Sequence, residues 1–233
     1  MNKSYQLAIS QTFPCNYLPE QQERLLIAID KQLQSAKPYA WLMSQGFRRS
    51  GDQIYRPHCI NCHACQSLRI LAQQFTPSKS QKRIVKKNSA FSQKINNQMQ
   101  ENYYPLYEEY ISKVHADGTM YPPNYQQYQS FIECHLIEQI FIETWHREQL
   151  ISVAVTDILE NALSAVYTFY HPDYRSHGLG VYSILTQIEI AKNMGKEFLY
   201  LGYHIEGCQK MNYKNKYYPH QILTKNTWLT VNK

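Results

Sequence analysis

The chain has 233 residues, 43% of them hydrophobic, which suits one large domain or two intimate small ones. It contains no run of eighteen apolar residues, which excludes a spanning helix, and its first ten residues, MNKSYQLAIS, lack the apolar core of a signal peptide; a cytoplasmic location is the expectation. The formal net charge of +6 is unevenly placed: residues 54–100 hold no Asp or Glu but eight basic residues, Arg56, Arg69, Lys79, Lys82, Arg83, Lys86, Lys87 and Lys94. A field of that sign favours a polyanion such as RNA, although a solvated basic face kept for solubility has the same composition.

In chain order, residues 5–14 read as a strand, with Leu7 and Ile9 alternating with polar neighbours, and 15–19 as a turn. Leu25, Leu26, Ile29 and Leu33 recur at helical spacing, so a helix is expected over 20–33, ended or redirected by Lys37-Pro38. A short element over 39–43 closes at Gly46, and 53–56 is extended. The segment HCINCHAC (58–65) follows. Cys59, Cys62 and Cys65, with Cys15 as a fourth thiol, suit zinc or an iron–sulfur cluster. A reduced, turn-forming cysteine patch explains the spacing as well, because a zinc ribbon shows two separated C-x2-C pairs. In either case six cysteines in this setting are expected reduced or metal-bound rather than disulfide-paired.

Residues 68–75 resemble a strand, and Ser78 caps a helix on which Lys79, Lys82, Arg83, Lys86 and Lys87 fall at three- and four-residue steps. Such a face grips phosphates with little sequence preference. The polar stretch 89–100 is a connector or edge strand and the expected boundary between an N-terminal region, 1–95, and a C-terminal domain, 96–233. A second helix over 101–114 carries an apolar stripe of Tyr103, Leu106, Tyr107, Tyr110, Ile111 and Val114, and ends in the polar turn HADGTM (115–120). A short helix over 125–134 precedes three strands, 137–145, 150–158 and 163–170, spaced as an antiparallel meander. Arg175-Ser-His-Gly178-Leu-Gly180 comes next, then a helix over 181–193, a strand over 198–205, a short helix within 207–214 and a closing segment over 223–231.

That R-x-x-G-x-G turn, lying between strand and helix, lets backbone N–H groups converge on an anion at a helix N-terminus, with Arg175 adding a charge-assisted contact. Acyltransferases of the N-acetyltransferase fold grip phosphate-bearing donors in this way. The expected fold is therefore α/β (α+β), an acetyltransferase-like (GNAT-like) mixed sheet with flanking helices beside a cysteine-containing N-terminal region.

The pieces PCNYLPEQQ (14–22), YRPHCINCHAC (55–65), KRIVKKN (82–88), HADGTM (115–120), VAVTDILENALSAVYTFY (153–170), RSHGLG (175–180) and YLGYHIEGCQKMNYK (200–214) appear in family order. On them the chain resembles the bacterial aspartate/glutamate leucyltransferases, relatives of the eukaryotic arginyl-tRNA–protein transferases. Glu20, Val114 and His171 stand where that family usually has Gly, Arg and often Asp.

The resemblance implies that leucine passes from leucyl-tRNA to the α-amine of acceptor proteins bearing N-terminal Asp or Glu, which marks them for degradation. It implies that Arg175, Gly178 and Gly180 hold the phosphate or ribose end of the tRNA and that the helix 79–87 faces the acceptor stem. It carries over no firm cofactor. The donor is already an activated ester, so catalysis needs alignment of two partners and an oxyanion site, with no strong base. His115, Asp117, Asp157 and Tyr203 are the candidates for proton handling or amine orientation. Lys210, Lys214 and Arg83 are candidate cations for the acceptor's acidic side chain, and Tyr167, Phe169 and Leu201 candidate walls for the leucyl group. Two other readings share the anion turn or the basic stretch: a coenzyme A-dependent N-acetyltransferase, and a non-catalytic RNA-binding protein.

Overall fold

A computed structural model describes residues 4–233. Its elements are β1 (Leu7–Ile9), β2 (Phe13–Pro14), β3 (Gln22–Glu23), β4 (Leu25–Ala28), α1 (Ala36–Ser44), β5 (Arg48–Ser50), β6 (Gln53–Pro57), β7 (Gln66–Leu71), α2 (Lys79–Lys87), β8 (Ser92–Asn96), α3 (Tyr103–Val114), α4 (Tyr125–Ile132), β9 (Gln139–His146), β10 (Gln149–Ile158), β11 (Ala162–Tyr170), α5 (Leu179–Asn193), β12 (Phe198–His204), β13 (His220–Thr224) and β14 (Thr227–Val231).

The main sheet has eight strands in the order β14-β13-β7-β12-β11-β10-β9-β8. Its neighbours are antiparallel except β11 and β12, which run parallel and pair only over Ala162–Ser164 and Phe198–Tyr200. Beyond those residues the two strands separate. The sheet takes β7 from the first segment and β8 from across the expected boundary, so it spans both sequence segments. A smaller sheet has the order β1-β4-β6-β5.

Alternation along the strands sorts the core. Leu199 and Leu201 of β12 pack with Ile184, Leu185 and Ile188 of α5, while Phe198 and Tyr200 face α1 and the small sheet. At the other end, Phe141, Val153, Val155 and Phe169 pack beneath α3 and α4 with Tyr103, Tyr107, Tyr110 and Tyr128. Much of the tyrosine content is therefore core, and the rings meet edge-on, as between Tyr107 and Phe169 at 5.7 Å.

Several expectations are corrected. The segment 20–33 is no helix: it forms β3, β4 and a 3-10 turn, Lys31–Leu33. Leu25-Leu-Ile-Ala fits either period, and β1 and β6 on its two sides supply the backbone partners that decide for strand. The helix lies over Ala36–Ser44 instead, with Pro38 in its first turn, where a missing N–H costs least. The single strand over 5–14 divides into β1 and β2. The strand over 68–75 stops at Leu71 and continues as a 3-10 turn, Ala72–Gln74, and the last short helix is a 3-10 turn over Asn212–Lys216. The capped basic helix, the meander and the α5–β12 unit lie where expected.

Candidate functional site

Ser78 caps α2 with a full capping box, its hydroxyl accepting from the Gln81 N–H and its own N–H donating to Gln81 Oε1. Lys79, Lys82, Arg83, Lys86 and Lys87 are all exposed, while Gln81 and Asn88 are buried. The buried side docks on the glycine turn. Asn88 Nδ2 donates to the His177 carbonyl at 3.1 Å, and Asn88 Oδ1 meets His177 Nδ1 at 3.0 Å. Lys87 Nζ donates to the Ser176 carbonyl at 2.7 Å. The basic face and the turn are thus held together by side chains.

The turn is a 3-10 segment, Pro172–His177, closed by Gly178 at φ +64°. That left-handed conformation suits glycine, and a Cβ there would lie 3.4 Å from Ile84 Cδ1 of α2. Gly178 is also the N-cap of α5 and has no side chain to offer its N–H groups. A Cβ on Gly180 would meet nothing within 4 Å, so the backbone of the first turn is open to an approaching group.

Beside this turn, four predicted residues converge. His115 Nε2 meets the Tyr110 hydroxyl at 2.9 Å. Asp117 pairs with Lys210 at 2.8 Å on the surface. Burial, then Lys210, pulls the His115 pKa below the usual imidazole value, and Arg175 adds to this, so the ring is neutral near pH 7. The hydrogen bond and charge of Lys210 hold the Asp117 carboxyl below the usual range. Burial raises the Tyr110 pKa, Tyr170 and Tyr213 raise it further, and Arg175 opposes them. Arg175, His115, Lys210 and Asp117 therefore share one electrostatic neighbourhood, walled by tyrosines.

Other predicted residues lie elsewhere. Asp157 is fully buried and accepts two hydrogen bonds from Arg49, one from Nε at 2.9 Å. Burial alone would lower the Arg49 pKa, but the Asp157 carboxylate overrides it and holds the guanidinium charged. Tyr203 donates its hydroxyl to the Gly46 carbonyl at 2.9 Å, and its own carbonyl accepts from Lys214 Nζ at 2.8 Å. Lys214 is 7% exposed, and burial, then Arg48, lowers its pKa to about 7. Of the proposed leucyl walls, Tyr167 and Phe169 lie in the tyrosine-rich core under α3, and Leu201 packs against α5.

The cysteine loop borders a pocket of about 300 Å³ lined by Cys15, Cys59, Cys62, Cys65, Tyr55 and Tyr203, among others. Burial, then Cys15, Cys59 and Cys62, pushes the Cys65 thiol up to about 12. Among the described residues, no group of three or more His, Cys, Asp or Glu side chains is arranged to hold a metal ion. Glu23 also lines the pocket, and its Oε2 is buried without a partner.

Sequence reasoning missed the latch residue Asn88 and the buried arginines of β5. Arg48 and Arg49 stand in a turn-like FRRSG stretch whose composition suggests exposure, and no local pattern marks them as inward. Asn88 reads as an ordinary helix end.

The sequence profile "Arginine-tRNA-protein transferase, N terminus" matches residues 13–83, and "Arginine-tRNA-protein transferase, C terminus" matches 102–224. The chain is 47% identical over 225 residues to an aspartate/glutamate leucyltransferase of Pseudoalteromonas atlantica, covering 97% of each. It is 46% identical over 217 residues to one of Aeromonas hydrophila, covering 93% of this chain and 91% of that one. Among solved structures it resembles the C-terminal domain of a putative lysylphosphatidylglycerol synthetase from Agrobacterium fabrum, with a TM-score of 0.46, 9% identity and coverage of 73% of this chain and 52% of that one. With both halves matched and the named relatives covered almost end to end, the chain belongs to the arginine-tRNA-protein transferase family.

Proposed function

We propose that this chain transfers leucine from leucyl-tRNA to the α-amine of proteins that begin with Asp or Glu, as the names of its relatives suggest, and that it does so in the cytoplasm. The observation that carries this reading is the latch between α2 and the glycine turn. A phosphate-binding face and an open helix N-terminus then form one unit, so a tRNA bound along α2 presents its 3′ end to Arg175, Gly178 and Gly180. The meander β9–β11, the turn, α5 and the parallel strand β12 support reading the fold as GNAT-like, within the chain's two segments, 1–95 and 96–233.

The chemistry is direct aminolysis. The acceptor amine attacks the ester carbonyl, the tetrahedral oxyanion collapses, and the ribose hydroxyl leaves with a proton. Neutral His115, adjacent to Arg175, is suited to receive the proton released by the amine. Asp117 and Lys210 orient the amine and the acceptor at the mouth of the site. Asp157 and Tyr203 act through the scaffold, Asp157 by neutralising Arg49 and Tyr203 by tying β12 to Gly46.

The test is transfer of labelled leucine to peptides beginning Asp, Glu, Asn or Lys, with leucyl-tRNA, other aminoacyl-tRNAs and acetyl-coenzyme A as donors. Transfer from leucyl-tRNA to the acidic peptides supports the reading. Acetyl transfer without leucyl transfer replaces it with the coenzyme A-dependent reading, and RNA binding without turnover replaces it with the non-catalytic one.

A further inference from the structure

Two adjacent arginines in β5 are buried alike and treated differently. Arg49 is neutralised by Asp157 through a two-bonded ion pair. Arg48, 8% exposed, has no carboxylate within ion-pair distance among the described residues. Its Nη2 donates to the Ala165 carbonyl at 2.7 Å, one residue past the last β11–β12 pair, and Gly202 of β12 faces the guanidinium, with an added Cβ 3.5 Å from Nε. The group thus lies in the gap where the two parallel strands separate. Gly202 leaves room for it at a bulge with φ +81°. Its Nη1 is buried and, among the described residues, makes no hydrogen bond.

A buried cation with no carboxylate bonded to it is destabilising, because its desolvation is not repaid by an ion pair. A second buried basic group adds no negative charge: Lys214, its pKa lowered to about 7 by burial and then by Arg48, is bonded among the described residues to the Tyr203 carbonyl and Met211 Sδ. The carboxylate whose charge reaches Arg48, Asp157, has both oxygens already bonded to Arg49. The pocket wall is close at hand. Tyr55 is the cross-strand partner of Arg48, Tyr203 follows Gly202, and both line the pocket with Gly46.

We propose that Arg48 is the specificity-determining residue for the acceptor, its free Nη1 edge receiving the side-chain carboxylate of the N-terminal Asp or Glu at the strand gap, with Lys214 behind it. The missing counter-ion is then brought by the substrate, which explains why an isolated guanidinium is retained in a dry position. This rests on the transferase reading above and adds to it a receptor for the acidic side chain, whereas the exposed Lys210 is already paired with Asp117.

The experiment compares wild type with Arg48→Gln and Arg48→Lys, using peptides that begin Asp or Glu and their uncharged isosteres Asn and Gln. Arg48→Gln should raise KM for the acidic peptides about 100-fold or more, bring the Asp:Asn ratio of kcat/KM near one, and leave KM for leucyl-tRNA unchanged. It should melt no lower than wild type, because it removes an unpaired buried charge. Arg48→Lys, which keeps the charge but loses the fork, should lower the Asp:Asn ratio at least about tenfold, and it carries the test alone if the Gln variant does not fold. Either folded variant keeping the wild-type ratio overturns the proposal, as does a fall in kcat that is equal for acidic and amide peptides. Absence of leucyl transfer by the wild type to any peptide would instead sink the transferase reading itself.

Discussion

Replacing Lys82 and Lys86 together by Ala tests how the tRNA is held. Both side chains are exposed and make no hydrogen bond or ion pair among the described residues, and Ala is at least as good a helix former, so α2 should persist. Of the five basic residues on the helix, Lys87 is engaged with the Ser176 carbonyl, which leaves four for phosphates. Each phosphate neutralised contributes about −0.9 to the slope of log K against log salt in a duplex. Four contacts give a slope near −3.6, or roughly a 150-fold loss of affinity from about 50 to 200 mM salt, and two give about −1.8, or roughly a 12-fold loss. Filter binding of leucyl-tRNA across that range reads the difference, with circular dichroism as a check on the fold. The kcat at saturating tRNA should be unchanged. A double variant whose salt slope matches wild type would remove α2 from the tRNA interface.

Gly178→Val should cost about 1–3 kcal/mol of stability, because a β-branched residue is forced into the left-handed region and against Ile84, and should cut transfer more than tenfold at a temperature where the protein remains folded. A variant with normal transfer would place the donor elsewhere. Asp157→Ala strands Arg49 beside the already unpaired Arg48, so about 3–5 kcal/mol should be lost and the melting temperature should fall by about 6–20 °C. Urea unfolding checks this, and a loss below about 1 kcal/mol would contradict the role given to the ion pair.

The parts of the fold legible in the sequence are those with one strong periodicity and a clear stop. In α2 a capping serine, cations three and four apart and a terminal Asn all agree, and in β9–β11 alternation runs between short polar turns. The segment 20–33 misleads because Leu25, Leu26 and Ile29 satisfy both periods, and the deciding partners, β1 and β6, lie on either side in the sequence. Residue types suited to the proposed donor turn are visible as Arg175, Gly178 and Gly180, since an anion site built from backbone favours glycine. The latch from Asn88 to His177 spans 89 positions, and nothing local announces it. Arg48 is hidden for a related reason. Its environment is made by β11 and β12, more than a hundred residues later, and an arginine in a turn-like stretch otherwise reads as surface.

The most direct test of the account is where the 3′ end of a charged tRNA lies. A leucyl-tRNA carrying a photoreactive group on its terminal adenosine, irradiated with the wild-type protein and mapped by mass spectrometry, should label peptides covering 171–182, with labelling suppressed in Gly178→Val. Labelling confined to the cysteine loop, 58–65, with none around the glycine turn, would contradict the claim that the basic helix delivers the acyl ester to that turn.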